Sequence, residues 1–448
     1  MRPCKELDVQ RNFLKTAAFA TLSLLATPAA AATQAAPGAV AVQSTASVRP
    51  DVTQFYQVRK NPPVWFRAGQ ADAGPLLVQM LRDSSIEGFA RGPQLAGEVE
   101  GALASAQGGN AAAVQAAERV LSNAWLQYVQ FLRSPTPGMI YGEKWVTPIV
   151  PNASQVLVPA MAAPSLSAHM KSVAAVNPIY SSLRDAALAQ AKLPNGGTAA
   201  KYAANLERAR SIPGKGKYVV VDAATARLWM YEDGRPVDSM KVVVGMLDFA
   251  TPMIASAIWY TTFNPYWHVP DHLARRAAAK VIKEGQPYLK RVGYEVVDSW
   301  SDNAKVLPWD SVDWKAVANG TASVKLRQLP GGANSMGRMK FNFANSEGIY
   351  LHDTPQKEYF KRSNRHLSNG CIRLEDAKRF ADWLFGRPAA APTAAAEQHV
   401  QLPQGIPVFV TYLTAQPQLG EVALASDVYG RDARASARTA GVQAGAGN

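Results

Sequence analysis

One of the two cysteines in the chain lies in a short stretch whose residue types could perform nucleophilic chemistry. Cys371 stands in the run Ser368-Asn369-Gly370-Cys371-Ile372-Arg373, whereas Cys4 lies in a segment typical of a removable leader. Two histidines, His352 and His366, precede the run. A thiolate is the reactive form of cysteine, and a neighbouring imidazole can take the thiol proton. The pattern therefore favours a cysteine nucleophile served by a histidine base.

His352 is the preferred base of the two. It ends a strand-like run that begins at Ile349, where a side chain can be presented rigidly, whereas His366 lies in loop-like sequence. A histidine is more often structural or exposed, and Asn369-Gly370 alone could be only a hairpin turn. The combination with a single mature thiol nevertheless indicates catalysis.

Acyl transfer would need donors for the negative charge that develops on the substrate oxygen. The backbone amides of Gly370 and Cys371 are candidates for this oxyanion hole. Arg373 could hold a substrate carboxylate through two hydrogen bonds, or it could form a structural salt bridge. Both interpretations of Arg373 stay open at this point.

The N-terminus predicts a secreted protein. Arg11 and Lys15 precede an apolar run over 16–26, and small residues follow at the spacing that a signal peptidase requires. We expect residues 1–32 to be a signal peptide, with an uncleaved anchor as the alternative, and we find no other stretch predicted to span a membrane stably. An unpaired thiol is a liability in an oxidising compartment, which favours a chemical role for Cys371.

The 448-residue chain carries a formal net charge of +13. Residues 1–32 hold four basic and two acidic side chains, so the mature chain would stand near +11. A basic protein favours acidic partners. The Lys and Arg residues are scattered and form no nucleic-acid-binding motif, so we expect no nucleic-acid partner.

Hydrophobic periodicity predicts two folded domains. Residues 33–50 have the composition of a flexible leader. Over 51–212, apolar residues recur at helical spacing, most clearly over 110–133, and further helices are predicted over 178–193 and 198–210. This region therefore predicts a mostly helical domain.

From residue 213 to about 415 the pattern predicts a mainly β domain. Asp233-Gly234 separates two strand-like runs and predicts a hairpin. An insertion over 270–335, which includes a probable helix over 271–284, interrupts the strands and is expected to be a lid or binding segment. Residues 416–448 are expected to be an extension that is disordered past about 432. The many short strands predict a β-sandwich or barrel.

The residues carry a resemblance to a known family. His352-Asp353-Thr354, followed after a gap by Ser368-Asn369-Gly370-Cys371-Ile372-Arg373, resembles the motif of the L,D-transpeptidases with a YkuD-type catalytic domain. The stretches 263–270, 337–341 and 428–432 are similar to those of the larger Gram-negative members. The resemblance covers about 200–432 well and the helical region more loosely, as a scaffold domain.

The resemblance implies a fold, a reaction and a location. The fold would be a YkuD-like β-sandwich with an inserted capping subdomain behind an α-helical scaffold domain. Cys371 would attack a stem tetrapeptide of peptidoglycan in the periplasm, release the terminal D-Ala and form a thioester. The amine of a second stem would then give a 3→3 cross-link, with His352 as base and then acid. Residues implied to bind the substrate or the oxyanion are Ser368, Asn369, Gly370, Arg373, Tyr350, Arg338 and His366.

The family needs no metal or organic cofactor, and carbapenems acylate its cysteine. The sequence departs from the family at Asn369, where a histidine is expected, and we expect activity to survive because His352 is the base. No peptidoglycan-binding repeat is recognisable.

Other functions remain open. A zinc site could use Cys371, His352 and His366. The chain could be an impaired, non-catalytic envelope-binding homologue. Water as acceptor would make it an L,D-carboxypeptidase or a hydrolase that releases lipoprotein from the cell wall.

Overall fold

In the computed structural model, a helical region is followed by strands, as the hydrophobic periodicity predicts. The structure describes residues 48–192, 199–301, 303–418 and 421–435, all within one compact unit that starts at Ala46. The predicted signal peptide, most of the predicted leader and the tail after residue 435 lie outside the described residues.

The first part of the chain is built from helices with apolar faces turned inward. Asn110 begins the longest of them by accepting hydrogen bonds from the backbone N–H groups of Ala112 and Ala113, which satisfies donors that a helix start leaves free. Within the described residues, the α-helices of this part are α1 (Pro50–Val58), α2 (Ala73–Asp83), α3 (Gly92–Ala106), α4 (Ala111–Leu132), α5 (Ala153–Ala162), α6 (Leu166–Ala174), α7 (Pro178–Ala191) and α8 (Ala199–Ala209). The helical domain expected from the sequence is confirmed.

Short strands dominate the second part of the chain. In chain order, the described strands are β1 (Met139–Tyr141), β2 (Lys217–Asp222), β3 (Arg227–Glu232), β4 (Arg235–Gly245), β5 (Met253–Phe263), β6 (Trp267–His268), β7 (Tyr294–Val297), β8 (Val306–Leu307), β9 (Lys325–Gln328), β10 (Met339–Phe343), β11 (Leu351–His352), β12 (His366–Ser368), β13 (Ile372–Leu374), β14 (Gln398–Thr411), β15 (Ala415–Gln418) and β16 (Glu421–Leu424). The α-helices described between these strands are α9 (Asp271–Glu284), α10 (Gln286–Val292), α11 (Trp314–Asn319) and α12 (Ala377–Phe385).

The main sheet closes on itself. Its strands follow the order β5-β10-β11-β13-β4-β3-β2-β14, and β14 pairs with β2 on one side and with β5 on the other. The hairpin of β3 and β4 turns at Asp233 and Gly234, which both have positive φ. The expected mainly β domain is confirmed. Because β14 pairs with both β2 and β5, the sheet has no unpaired edge strand where these three strands meet.

The insertion between β5 and β10 has a core of its own. Strands β6, β9, β7 and β8 form a separate four-stranded sheet, and α9 and α11 pack beside it. Its buried side chains, such as Val281, Trp314 and Leu326, form a cluster distinct from the main core. The predicted helix over 271–284 is α9.

The helical region also contributes a strand to the main sheet. Strand β1 pairs in parallel with the start of β5, with Met139 opposite Met253 and Tyr141 opposite Ala255. The sequence analysis included this segment in the helical domain and did not predict the strand. At its end, the Gly142 N–H donates to the carbonyl of Ala255 at 2.8 Å.

We expect Gly142→Ala to destabilise the protein, because no side chain fits at this junction. An added Cβ would lie 1.8 Å from the carbonyl oxygen of Ala344 and 2.7 Å from Ser256 Oγ. Backbone atoms would have to move, at a cost of about 1–3 kcal/mol in the free energy of unfolding. Chemical denaturation followed by tryptophan fluorescence measures this loss.

Gly101→Ala is the matched control, since it lies within α3 and an added Cβ meets nothing within 4 Å. It should stabilise the protein by up to about 1 kcal/mol through helix propensity. Equal free energies of unfolding for Gly142→Ala and Gly101→Ala would contradict the conclusion that no side chain fits at the junction of β1 with β5.

Candidate active site

The cysteine lies on a turn that its neighbours hold by hydrogen bonds. Ser368 is buried, and its hydroxyl donates to the carbonyl of Cys371 at 2.6 Å while it accepts the Gly370 N–H at 3.2 Å. From the other side, Thr251 Oγ1 donates to the carbonyl of Gly370 at 2.7 Å and accepts the N–H of Gly245 at 2.8 Å. The turn is therefore fixed before any substrate binds.

Gly370 is required by this turn. Its φ of 111° lies in a region that residues with a side chain rarely adopt. A Cβ at this position would also lie 3.1 Å from Ile349 Cδ1. Because the Gly370 N–H is engaged by Ser368, it is less available as an oxyanion donor than the sequence analysis expected.

His352 lies beside the cysteine strand and is buried, with 3% of its surface exposed. Strands β11 and β13 run parallel, with Leu351 opposite Ile372 and His352 opposite Arg373. The His352 ring nitrogen Nδ1 lies 2.6 Å from the backbone carbonyl oxygen of Asp353. Since a carbonyl can only accept, Nδ1 carries the proton and Nε2 keeps its lone pair.

The charge state of His352 follows from its surroundings. Burial lowers its pKa to about 3, and the nearby positive charge of Arg373 acts in the same direction. The imidazole is therefore neutral near pH 7. A neutral ring with a free Nε2 lone pair is the form that a general base needs.

Lys340 is a part of this site to which the sequence analysis gave no role. It stands opposite His352 in the pairing of β10 with β11, and its Nζ lies 3.8 Å from the centre of the Tyr350 ring. Burial lowers the pKa of Lys340, whereas the charges of Glu397 and Cys371 raise it. Alternation along Met339–Phe343 places Lys340 on the face opposite to the buried Phe341 and Phe343, so the sequence pattern gave no sign that it lies beside the cysteine.

The thiol of Cys371 is half-buried and contacts the carbonyl oxygen of Gly348 at 3.9 Å. Burial raises its pKa, while the Tyr350 backbone N–H, Lys340 and Arg373 act against this rise. In the described part of the chain, His352 forms no hydrogen bond with this thiol. The resting pair is therefore a neutral thiol and a neutral imidazole rather than an ion pair.

Arg373 and Tyr350 border the thiol. The Arg373 guanidinium lies 5.5 Å from the centre of the Tyr359 ring, and its Nη1 donates a long hydrogen bond of 3.4 Å to Gln356. Its Nε is buried without a hydrogen-bond partner among the described residues. The pKa of Tyr350 is raised by burial and by the charge of Cys371. Together with Lys340, these two residues lie around the cysteine.

Three other predicted site residues make less direct contributions. The half-buried side chain of Asn369 makes no hydrogen bond within the described residues. Arg338 is exposed, and its backbone N–H donates to Asp353 Oδ2 at 3.0 Å. His366 Nε2 lies 3.0 Å from the carbonyl of Ala223, and its ring contacts Tyr429 edge-on. Its ring nitrogens are thus engaged away from the thiol.

The described residues contain neither a group of three His, Cys, Asp or Glu side chains that could hold a metal ion, nor a helix long and apolar enough to cross a membrane. The zinc alternative therefore finds no ligand set in this part of the chain.

The comparisons with known proteins assign both parts of the chain. Residues 216–394 match the model of the YkuD L,D-transpeptidase catalytic domain, and residues 50–186 match the model of a Scaffold domain. The match over 216–394 includes the cysteine turn and His352. The chain thus carries an L,D-transpeptidase catalytic domain of the YkuD type behind a Scaffold domain, and the resemblance seen in the sequence is confirmed.

A curated relative has similar length. A Haemophilus influenzae protein named "Putative L,D-transpeptidase" is 26% identical over 397 residues, which cover 86% of this chain and 78% of that protein.

Two solved structures are more distant. An L,D-transpeptidase from Mycobacterium smegmatis matches 44% of this chain and 59% of its own at 14% identity, with a TM-score of 0.21. An L,D-transpeptidase in complex with imipenem matches 44% of this chain and 60% of its own at 13% identity, also with a TM-score of 0.21. The match spans less than two thirds of each of these chains.

We expect Lys340→Met to slow the alkylation of Cys371 by neutral iodoacetamide. The ammonium of Lys340 favours the thiolate, so its removal raises the pKa of Cys371 further. At a fixed pH below that pKa, the thiolate fraction and the rate should fall roughly three- to tenfold. In the unmodified protein, the rate should rise with pH into the alkaline range without an acidic plateau.

Lys315→Met removes the same charge from an exposed position on α11 and should leave the rate unchanged. A plateau of rapid alkylation below pH 7 would show a thiolate–imidazolium pair and contradict the neutral resting state.

Proposed function

We propose that this protein is a peptidoglycan L,D-transpeptidase that forms 3→3 cross-links through a thioester on Cys371. The observation that carries the proposal is the buried, neutral His352, whose Nδ1 is held by the Asp353 carbonyl on the strand beside the cysteine turn. Such a ring can remove a thiol proton through Nε2 without first losing a proton of its own.

In the first half-reaction, Cys371 Sγ attacks the carbonyl carbon of the third residue of a donor tetrapeptide while its proton passes to His352 Nε2. The S–C bond forms and the carbonyl oxygen becomes an oxyanion, for which the Cys371 backbone N–H is the candidate donor. When the intermediate collapses, the C–N bond breaks. The amine of the terminal D-Ala then leaves with the proton from His352.

In the second half-reaction, the side-chain amine of a diaminopimelate on another stem attacks the thioester. His352 takes a proton from this amine, the new amide bond forms, and the Cys371 thiol is restored with that proton. No oxidant, metal or cofactor is required. The nearby positive charges of Lys340 and Arg373 stabilise the sulfur whenever it carries negative charge.

The same cations suit an anionic substrate. Arg373 has a buried Nε without a hydrogen-bond partner among the described residues, and its Nη1 makes a long hydrogen bond to Gln356. A stem-peptide carboxylate could satisfy this guanidinium by two parallel hydrogen bonds. Ser368, Gly370 and Asn369 would shape the turn against the peptide, and the 270–335 insertion would cap the cleft. Tyr350, Arg338 and His366 stay candidate substrate contacts.

The proposal includes a location and a class of inhibitor. The N-terminal signal predicted over 1–32 would deliver the protein to the periplasm, where its substrate lies. Carbapenems would acylate Cys371 as the tetrapeptide does, because the β-lactam carbonyl offers the thiol an activated amide.

The experiment is incubation of the protein with purified tetrapeptide muropeptides, followed by chromatography and mass spectrometry of the products. We expect a 3→3 dimer. Cys371→Ala should abolish it, and His352→Gln should reduce its rate by about 100- to 10,000-fold, as expected for loss of a general base. His169→Gln, a histidine substitution on helix α6 of the helical region, is the control and should leave the rate unchanged.

Other products would point to the alternatives. Monomeric tripeptide alone would indicate water as acceptor and hence a carboxypeptidase or a lipoprotein-releasing hydrolase. No product from the unmodified protein, together with binding of muropeptides, would indicate an impaired envelope-binding homologue.

A further inference from the structure

A cavity outside the cysteine site is lined by positive charge. It has a volume of about 200 Å³ and lies where the C-terminal segment meets the beginnings of β1 and β5. Three of the residues that line it are arginines, and none is acidic. The seven lining residues are Pro137, Gly138, Arg208, Pro252, Met253, Arg431 and Arg434. Arg431 belongs to the stretch 428–432 that the sequence analysis singled out, and the proposed reaction gives this stretch no role.

Arg431 lies at the centre of this cluster. Its guanidinium lies 5.0 Å from the centres of both the Tyr412 and Tyr429 rings, and its Nη2 donates to the carbonyl of Thr251 at 2.7 Å. Its Nη1 is shielded from solvent and has no hydrogen-bond partner among the described residues. The charge on this half-buried guanidinium is thus incompletely compensated, and leaving its shielded Nη1 without a hydrogen bond costs free energy.

The other two arginines differ in their partners. Arg208 is buried and paired with Asp432 at 2.6 Å, so its charge is largely compensated. Arg434 is exposed, and its Nη2 donates to the carbonyl of Tyr429 at 2.6 Å; within residues 48–435 as described, its other guanidinium donors have no hydrogen-bond partner. Burial lowers the pKa of Arg431, and the charges of Arg208 and Arg434 act in the same direction. The cavity therefore holds a surplus of positive charge.

We propose that this cavity binds an oxyanion, either a phosphate or a carboxylate group, held by the guanidinium of Arg434 and attracted by the positive charge of Arg431. Guanidinium groups present paired N–H donors in a plane, which matches the oxygens of phosphate and carboxylate. At roughly 30 Å³ for each water molecule, the cavity has room for about six waters, so a tetrahedral oxyanion fits with some of its hydration. Binding of this anion does not depend on the proposed transpeptidase reaction.

Two hydrogen bonds through Thr251 connect this cavity to the cysteine turn. Arg431 holds the carbonyl of Thr251, and the hydroxyl of the same Thr251 donates to the carbonyl of Gly370, next to the cysteine. The lining also joins α8, β5, the segment before β1 and the C-terminal segment. An anion bound here would hold these four parts of the chain together near the cysteine turn.

The test is isothermal titration of the full chain with inorganic phosphate at constant ionic strength. We expect saturable binding at one site per chain. Arg434→Gln should weaken the affinity by more than about tenfold, because a charge-assisted hydrogen bond is lost. The phosphate affinity of Arg434→Lys should lie between those of the unmodified protein and Arg434→Gln, since lysine keeps the charge but not the paired donors. Arg434 is exposed, so both variants should fold.

Arg235→Gln removes the same charge from the exposed turn of the β3–β4 hairpin and should bind phosphate like the unmodified protein. A second titration adds acetate as competitor. Competition supports a carboxylate ligand, and its absence supports a phosphate ligand. Lack of saturable phosphate binding, or equal affinities of the Arg434→Gln variant and the unmodified protein, would overturn the proposal.

Discussion

The parallel pairing of two very short strands is the constraint on which the candidate site depends. Strand β11 ends at His352 and β13 begins one residue after Cys371, and their pairing places the proposed base on the strand next to the proposed nucleophile. Neighbouring strands lie about 4.8 Å apart, so this register leaves little freedom in the relative position of the two residues. The turn at Gly370, the support from Thr251 and the tight packing of Gly370 against Ile349 all serve to hold that register.

The same pairing determines the electrostatics. His352 lies between Lys340 on β10 and Arg373 on β13, so two cationic side chains flank a buried imidazole. A third positive charge would be costly there, and the ring stays neutral. The cations act in the opposite sense on the sulfur, because they favour its thiolate. Burial and these charges thus oppose protonation of His352, and the same charges oppose the rise that burial causes in the pKa of Cys371.

Much of this could be predicted from the sequence, because local signals were strong. The motif around Cys371, the position of His352 at the end of a strand, the Asp233-Gly234 hairpin and the long helices follow from residue types and periodicity. The strand β1 could not be predicted, because three residues after a helix carry no periodic signal and their pairing with β5 is non-local. Lys340 was missed since its role depends on which strand lies beside β10. The arginine cavity was missed for the same reason, because Arg208 and Arg431 are far apart in sequence.

The charge state of His352 tests the central claim most directly. ¹⁵N NMR of histidine-labelled protein, with His352→Gln to assign the signal, reports which ring nitrogens carry a proton. The account predicts a neutral ring with Nδ1 protonated and Nε2 unprotonated at pH 7, and the same state down to about pH 4, since the pKa lies at about 3. An imidazolium signal at pH 7, with both nitrogens protonated, would show an ion pair with the thiolate and contradict the account.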